Sequence, residues 1–144
     1  MKYRLYLDNC CFNRPYDDQS KLSIHLESEA KLFIQKEILN GKFELVWSYI
    51  LDYENLVNPY EQRKNAIAAW RSIAVIDIDE SEEIILTGNG VMLKGLKKKD
   101  ALHIACAIKA NCDYFLTTDK KLLNKELSEI VLINPLDFVS RMEV

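Results

Sequence analysis

Glycine and proline are scarce in this 144-residue chain, with 4 and 3 residues. So few breakers argue against a low-complexity or loop-dominated chain and for regular elements joined by short connections. Long apolar runs are missing as well. Nothing approaches the roughly 20 residues that span a bilayer. Met1–Asn9 has neither a long apolar stretch nor a small-residue cleavage pattern, so no signal peptide is expected. These absences point to a cytoplasmic protein with no membrane partner. The four cysteines, Cys10, Cys11, Cys106 and Cys112, form no Cys-x-x-Cys, and His25 and His103 fall outside a ligand spacing. The usual zinc patterns are thereby excluded, and reduced, mostly buried thiols are expected. A positive excess is lacking too, since the formal net charge is −3. A domain that coats nucleic acid by bulk charge is excluded, so any such contact must be local, through a few cations.

What is present is a globular balance, 49% hydrophobic and 28% charged, over a length typical of one domain, here 1–144. Tyr3–Leu7 reads as a strand stopped by Asp8-Asn9, and Cys10–Gln19 as a turn-rich loop. Ser20–Asn40 reads as a long helix, with Leu22, Leu26, Ala30, Phe33, Ile34 and Ile38 at three- and four-residue steps. Phe43–Trp47 is a strand, and Ser48 caps a helix over Tyr49–Val57. Tyr60–Ser72 has helical spacing, Ala74–Ile78 is a strand, and Glu80–Leu93 and Lys98–Asn111 are helices. Strand Tyr114–Thr117, short helix Lys120–Leu127, strand Ile130–Ile133 and helix Pro135–Met142 complete the chain. Apolar strands separated by helices predict a parallel sheet covered on both faces.

Four acids sit at the edges of apolar segments: Asp8, Glu54, Asp100 and Asp119. In open α/β sheets the crevice lies at the carboxyl ends of the strands. Acids gathered there repel unless cations or protons neutralise them. A hard-metal site is therefore the first reading, and metal-assisted phosphodiester hydrolysis the first function. Each acid also has a plain structural reading as a cap, turn or helix-surface residue. Asp52 competes with Glu54, but two positions apart on a helix lie about 200° around the axis, and an apolar stripe of Tyr49, Ile50, Tyr53 and Val57 places Glu54 beside the buried face. Basic residues adjoin three of the acids: Arg14 follows Asp8, Lys97-Lys98-Lys99 precede Asp100, and Lys120-Lys121 follow Asp119. Arg14, Lys99 and Lys120 are the candidates for substrate phosphates. Phe12 and Tyr16 as base-stacking residues, and His103 as a phosphate contact or general acid, carry less weight than packing roles. A phosphotransfer fold fits poorly, because position 10 is Cys where a second Asp is wanted and Asp8-Asn9 is no acid pair.

Together these motifs resemble the PIN domain family: Asp8 after the first strand, Ser48 six before Glu54, Asp100-Ala-Leu-His-Ile-Ala-Cys-Ala, Phe-Leu-Thr-Thr-Asp119, and Val131-Leu-Ile-Asn-Pro135 followed by Asp137-Phe138. The resemblance spans roughly Tyr3 to Val139. It implies a three-layer α/β/α sandwich around a five-stranded parallel sheet. It implies a metal-dependent endoribonuclease with Mg²⁺ or Mn²⁺ held by Asp8, Glu54, Asp100 and Asp119, and Thr117 at a supporting hydroxyl position. It also implies RNA as substrate, a homodimer, and a toxin silenced by a cognate antitoxin, as in VapC-type members. The alternative is a catalytically silent PIN-like module that binds protein or RNA. Asn9, the segment Cys10–Gln19 and His103 depart from the commonest family pattern, which bears on substrate specificity and not on the acids.

Overall fold

The computed structural model describes residues 2–143. Five strands form one all-parallel sheet in the order β3-β2-β1-β4-β5. They are β1 (Tyr3–Leu7), β2 (Phe43–Ser48), β3 (Ile76–Ile78), β4 (Tyr114–Leu116) and β5 (Val131–Ile133). In register, Leu5 stands beside Leu45 on one side and Tyr114 on the other. The central strands are buried on both faces: Leu5, Tyr6 and Leu7, and likewise Leu45, Val46 and Trp47, are essentially inaccessible. That explains their near-continuous apolar composition, as expected for a parallel sheet under helices. The sequence-based fold class is the observed one.

Among the described residues, eight helices connect or follow the strands: α1 (Asn9–Asn13), α2 (Leu22–Leu39), α3 (Tyr49–Leu56), α4 (Glu61–Ala68), α5 (Glu82–Met92), α6 (Lys98–Lys109), α7 (Lys120–Leu123) and α8 (Pro135–Met142). Short 3-10 turns extend α1 over Arg14–Tyr16 and α4 over Ala69–Ser72. The segment expected to be a loop at Cys10–Gln19 is therefore largely helical. Asp8 caps α1 by accepting from the Asn9 amide, and the helix buries Cys11 and Phe12. Burial of those two side chains outweighs the turn-forming composition.

Two helical faces also differ from expectation. On α2, Leu22, Leu26 and Phe33 are exposed, whereas Ser28, Lys31, Gln35 and Glu37 are buried with Ala30, Ile34 and Ile38. The helix lies against both α8 and the Arg14–Tyr16 turn, so its covered face is rotated toward polar positions. On α3, Tyr53 and Val57 face solvent while Ile50, Leu51 and Asn55 are covered. The Asn55 side-chain amide donates to the Lys64 carbonyl at 2.8 Å, tying α3 to α4. Element ends otherwise move by a few residues, most visibly in β3 and α7.

Aromatic pairs knit the core together. Tyr6 stacks on Phe115 with centroids 5.2 Å apart, and Phe12 meets Trp47 edge-on at 5.4 Å. Phe138 of α8 touches Phe43 and Tyr114 at 5.3 and 5.1 Å, which locks the closing helix onto β2 and β4. All four cysteines are free thiols, in keeping with the sequence. Burial pushes Cys106 and Cys112 up to about 12 and raises Cys11 well above its ordinary value.

Truncating the fully buried Phe138 to Ala should cost about 3–5 kcal/mol, read as a lowered urea midpoint with an unchanged slope. A thiol reagent should modify no more than one cysteine in the native protein, the half-buried Cys10, and all four after denaturation.

Candidate functional site

Strand order reverses between β1 and β4, since 3-2-1 runs one way and 4-5 the other. Such a switch point leaves a crevice at the carboxyl ends of the strands. Asp8 leaves β1 there, Thr117 and Asp119 leave β4 there, and Ser48 at the end of neighbouring β2 starts the helix that carries Glu54. Asp100 enters from the first turn of α6. The chain thus directs all four predicted acids to one edge.

Asp8 is the most firmly held. It is 7% exposed. One oxygen accepts from the Asn9 amide at 2.8 Å, and the other accepts from the Thr117 hydroxyl at 2.9 Å and the Cys10 thiol at 3.4 Å. The Asp119 amide donates to Thr117 Oγ1 at 3.1 Å. Thr117 therefore ties the end of β1 to the turn after β4. Asp119 caps α7 with one oxygen, accepting from the Lys121 amide at 2.9 Å, and has a second oxygen left over. Asp52 lies apart: it accepts from Trp47 Nε1 at 2.8 Å and pairs with Arg71 at 3.6 Å.

The tightest group of potential ligands is Asp8, Glu54 and His103, whose donor atoms all lie within 4.8 Å of one another. His103 is fully buried. Its Nε2 is hydrogen-bonded to Glu54 Oε1 and lies 3.9 Å from Asp8 Oδ1. Its Nδ1 meets the Tyr6 hydroxyl at 2.5 Å, and that hydroxyl meets Ser48 Oγ at 2.6 Å. The sequence reading set histidine aside on spacing, and the structure puts it inside the acid group. The signal was present, because His103 lies three residues after Asp100 and so shares its helix face. Tyr6 and the Ser48 hydroxyl gave no such sign.

The Tyr6 hydroxyl has one proton, and burial raises its pKa well above the ordinary value of 10.0, so that proton stays on. With two partners and one proton, one neighbour must donate to Tyr6. If His103 Nδ1–H donates, Tyr6 donates to Ser48, and Nε2 either presents a lone pair toward the acids or, in the imidazolium, donates to Glu54. If Ser48 donates, Tyr6 donates to Nδ1 and Nε2–H donates to Glu54. A cation among the acids would favour the arrangement in which Nε2 offers its lone pair. The donor set, two carboxylates and one neutral imidazole with its second nitrogen engaged, fits a divalent ion.

Asp100 lies outside the tight group but feels it. Its pKa is raised, first by burial, then by the charges of Asp8 and Asp119 and more weakly Glu54, with His103 opposing. On its far side a recess of about 280 Å³ combines Asp100 and Asp119 with Lys97, Lys121 and Lys125. On the Glu54 side a recess of about 370 Å³ includes Asn9, Tyr60 and Arg63, with the Arg63 guanidinium 3.9 Å from the Tyr60 ring centroid. Of the predicted phosphate contacts, Lys120 is exposed beside Asp119, Lys99 lies 5.7 Å over the Tyr53 ring, and Arg14 is spent on Asp17 at 3.0 Å and Glu27 at 3.2 Å. Arg63 and Lys125 had not been singled out from the sequence.

A family model for the PIN domain matches residues 5–126. Curated proteins give no match. Among solved structures, a chain of VapBC2 from Rickettsia felis bound to a DNA fragment from their promoter aligns over 91% of this chain and 98% of its own. The TM-score is 0.57 and the identity 19%, a likeness of fold.

The sign of Asp100's shift yields a pH test. A carboxyl whose folded pKa is raised favours the folded state when protonated and loses that contribution as pH rises through the folded value. In metal-free protein, Asp100→Asn should therefore raise the melting temperature at pH 7, and the gain should vanish below the ordinary value of 3.8. Calorimetric scans of both proteins across pH 3–7 check this.

Proposed function

The chain belongs to the PIN domain family, and from that premise we propose that it is a metal-dependent endoribonuclease hydrolysing RNA phosphodiester bonds. The observation that carries the reading is the convergence of Asp8, Glu54 and His103 within 4.8 Å, with Asp100 close enough to feel the charges of Asp8, Asp119 and Glu54. Five negatively inclined or metal-ligating groups at one strand edge make little sense as packing and good sense as a cation site.

Asp8 and Glu54 would hold the ion, His103 would add a nitrogen donor, and Asp100 and Asp119 would complete the set directly or through water. Bound Mg²⁺ or Mn²⁺ supplies Lewis-acid polarisation of the phosphodiester and a water of lowered pKa. The imidazole in the set tilts the preference toward Mn²⁺. Thr117 keeps Asp8 in its rotamer. Tyr6 and Ser48 fix the imidazole orientation and absorb the change in hydrogen-bond polarity. Lys97, Lys121 and Lys125 suit substrate phosphates, and Tyr60 with Arg63 suits a stacked base on the Glu54 side. Arg14, committed to two acids, is not carried forward in that role. Lys99 and Lys120 remain as outer contacts.

Cytoplasmic location accords with this reading; among the described residues no helix is long and apolar enough to cross a membrane. A toxin role with a cognate antitoxin is supported by the likeness to a VapBC2 chain. A homodimer would cover some of the exposed apolar residues, among them Leu56, Leu86 and Leu93.

Purified protein should cleave RNA with Mn²⁺ and stop on chelation. Asp8→Asn should lower kcat by about a hundredfold or more; cleavage that survives this substitution would sink the reading. Lys121→Ala and Lys125→Ala should raise KM with little effect on kcat, and each should flatten the salt dependence of binding by about one charge.

A further inference from the structure

Away from the acid edge lies a recess of about 270 Å³, walled by Phe12, Tyr16, Ile67 and Trp70 and floored by Lys31 and Gln35 of α2. Lys31 and Gln35 are one helical turn apart, so both side chains leave the same face. They are 5% and 7% exposed. Among the described residues Lys31 makes no ion pair; its ammonium has only the Phe12 ring, 5.5 Å from the centroid. Gln35 Nε2 is buried with no hydrogen-bond partner. No acidic residue lines the recess. The nearby Cys11 thiol is no counter-charge either, because burial holds it protonated and it donates to the Leu116 carbonyl at 3.3 Å.

The Gln35 amide donor is buried without an acceptor, which is costly unless something accepts from it, and the Lys31 ammonium beside it has no counter-charge. Both line one cavity, whose other walls are aromatic and aliphatic. We propose that this recess is a binding site for a carboxylate carried on an aromatic or branched aliphatic body. One carboxylate oxygen takes the Lys31 ammonium and the other the Gln35 amide, while the apolar body rests on Phe12, Ile67 and Trp70. Burial lowers Lys31 to about 8, with Cys11 opposing, and a carboxylate beside the amine favours its charged form. The same chemistry is offered by a free small-molecule acid and by the terminal carboxylate of a partner chain that ends in an apolar residue.

The test uses the full chain and calorimetric titration with indole-3-acetate, its neutral amide, acetate, chloride, and a short peptide ending in phenylalanine with a free or an amidated C-terminus. Indole-3-acetate should bind, and its amide should bind at least about tenfold more weakly, as expected for loss of a charged hydrogen bond. Lys31→Met removes the buried charge while filling the same space, so it should fold at least as stably as the parent and lose binding by about tenfold or more. Amide resonances of Phe12, Lys31, Gln35 and Trp70 should move on titration of the parent. A free-acid peptide binding more tightly than indole-3-acetate assigns the site to a partner's terminus, and the reverse order assigns it to a small molecule; either order supports the proposal. Equal binding of acid and amide, full binding by folded Lys31→Met, saturation by chloride alone, or no binding by any acid overturns it. None of these readings depends on the metal centre.

Discussion

Repulsion between carboxylates is the constraint around which this molecule is arranged. Asp8, Glu54, Asp100 and Asp119 come from four separate stretches of sequence and meet where the strand order reverses. Each is restrained by a different local device. A helix cap and a threonine hold Asp8, a cap holds Asp119, the first turn of α6 carries Asp100, and a buried histidine holds Glu54. These restraints keep the charges near one another despite the cost, which shows in the raised pKa of Asp100. Folding stability and cation affinity are therefore opposed at this edge. What weakens the metal-free fold is what would draw a divalent ion.

Much of this was legible in the residues. The acids could be found because each interrupts an apolar segment, and the parallel sheet because its strands are apolar on both faces. The rest was hidden for identifiable reasons. Cys10–Gln19 has the composition of a loop, yet Phe12 finds a pocket against Trp47 that makes a helix worthwhile. The α3 stripe misleads because Asn55 is covered through its bond to Lys64 while Tyr53 and Val57 are left outside. His103 looked like packing, since nothing in a linear chain announces that Tyr6, 97 residues away, will occupy its other nitrogen. The ion pair of Arg14 with Glu27 could not be seen in the sequence, because Glu27 comes from the next helix.

The Ser48–Tyr6–His103 chain gives the site a property that carboxylates alone lack. Its hydrogen bonds can run in either direction with no heavy atom moving, since only hydroxyl rotation and the imidazole tautomer change. Charge arriving among the acids can thus be answered inside the core, through a tyrosine stacked on Phe115. The response is electrostatic and local, and it leaves the backbone of β1 and β2 undisturbed.

The bond between Thr117 and Asp8 spans 109 residues of sequence, and β4 can join the sheet only beside β1. The acid edge is therefore incomplete until the chain has been made through Asp119. Until the segment after β4 is made, Asp8 lacks its hydroxyl tether and Asp119 is missing from the edge. The acid edge is thus a late product of synthesis, closed by the same strand that completes the centre of the sheet.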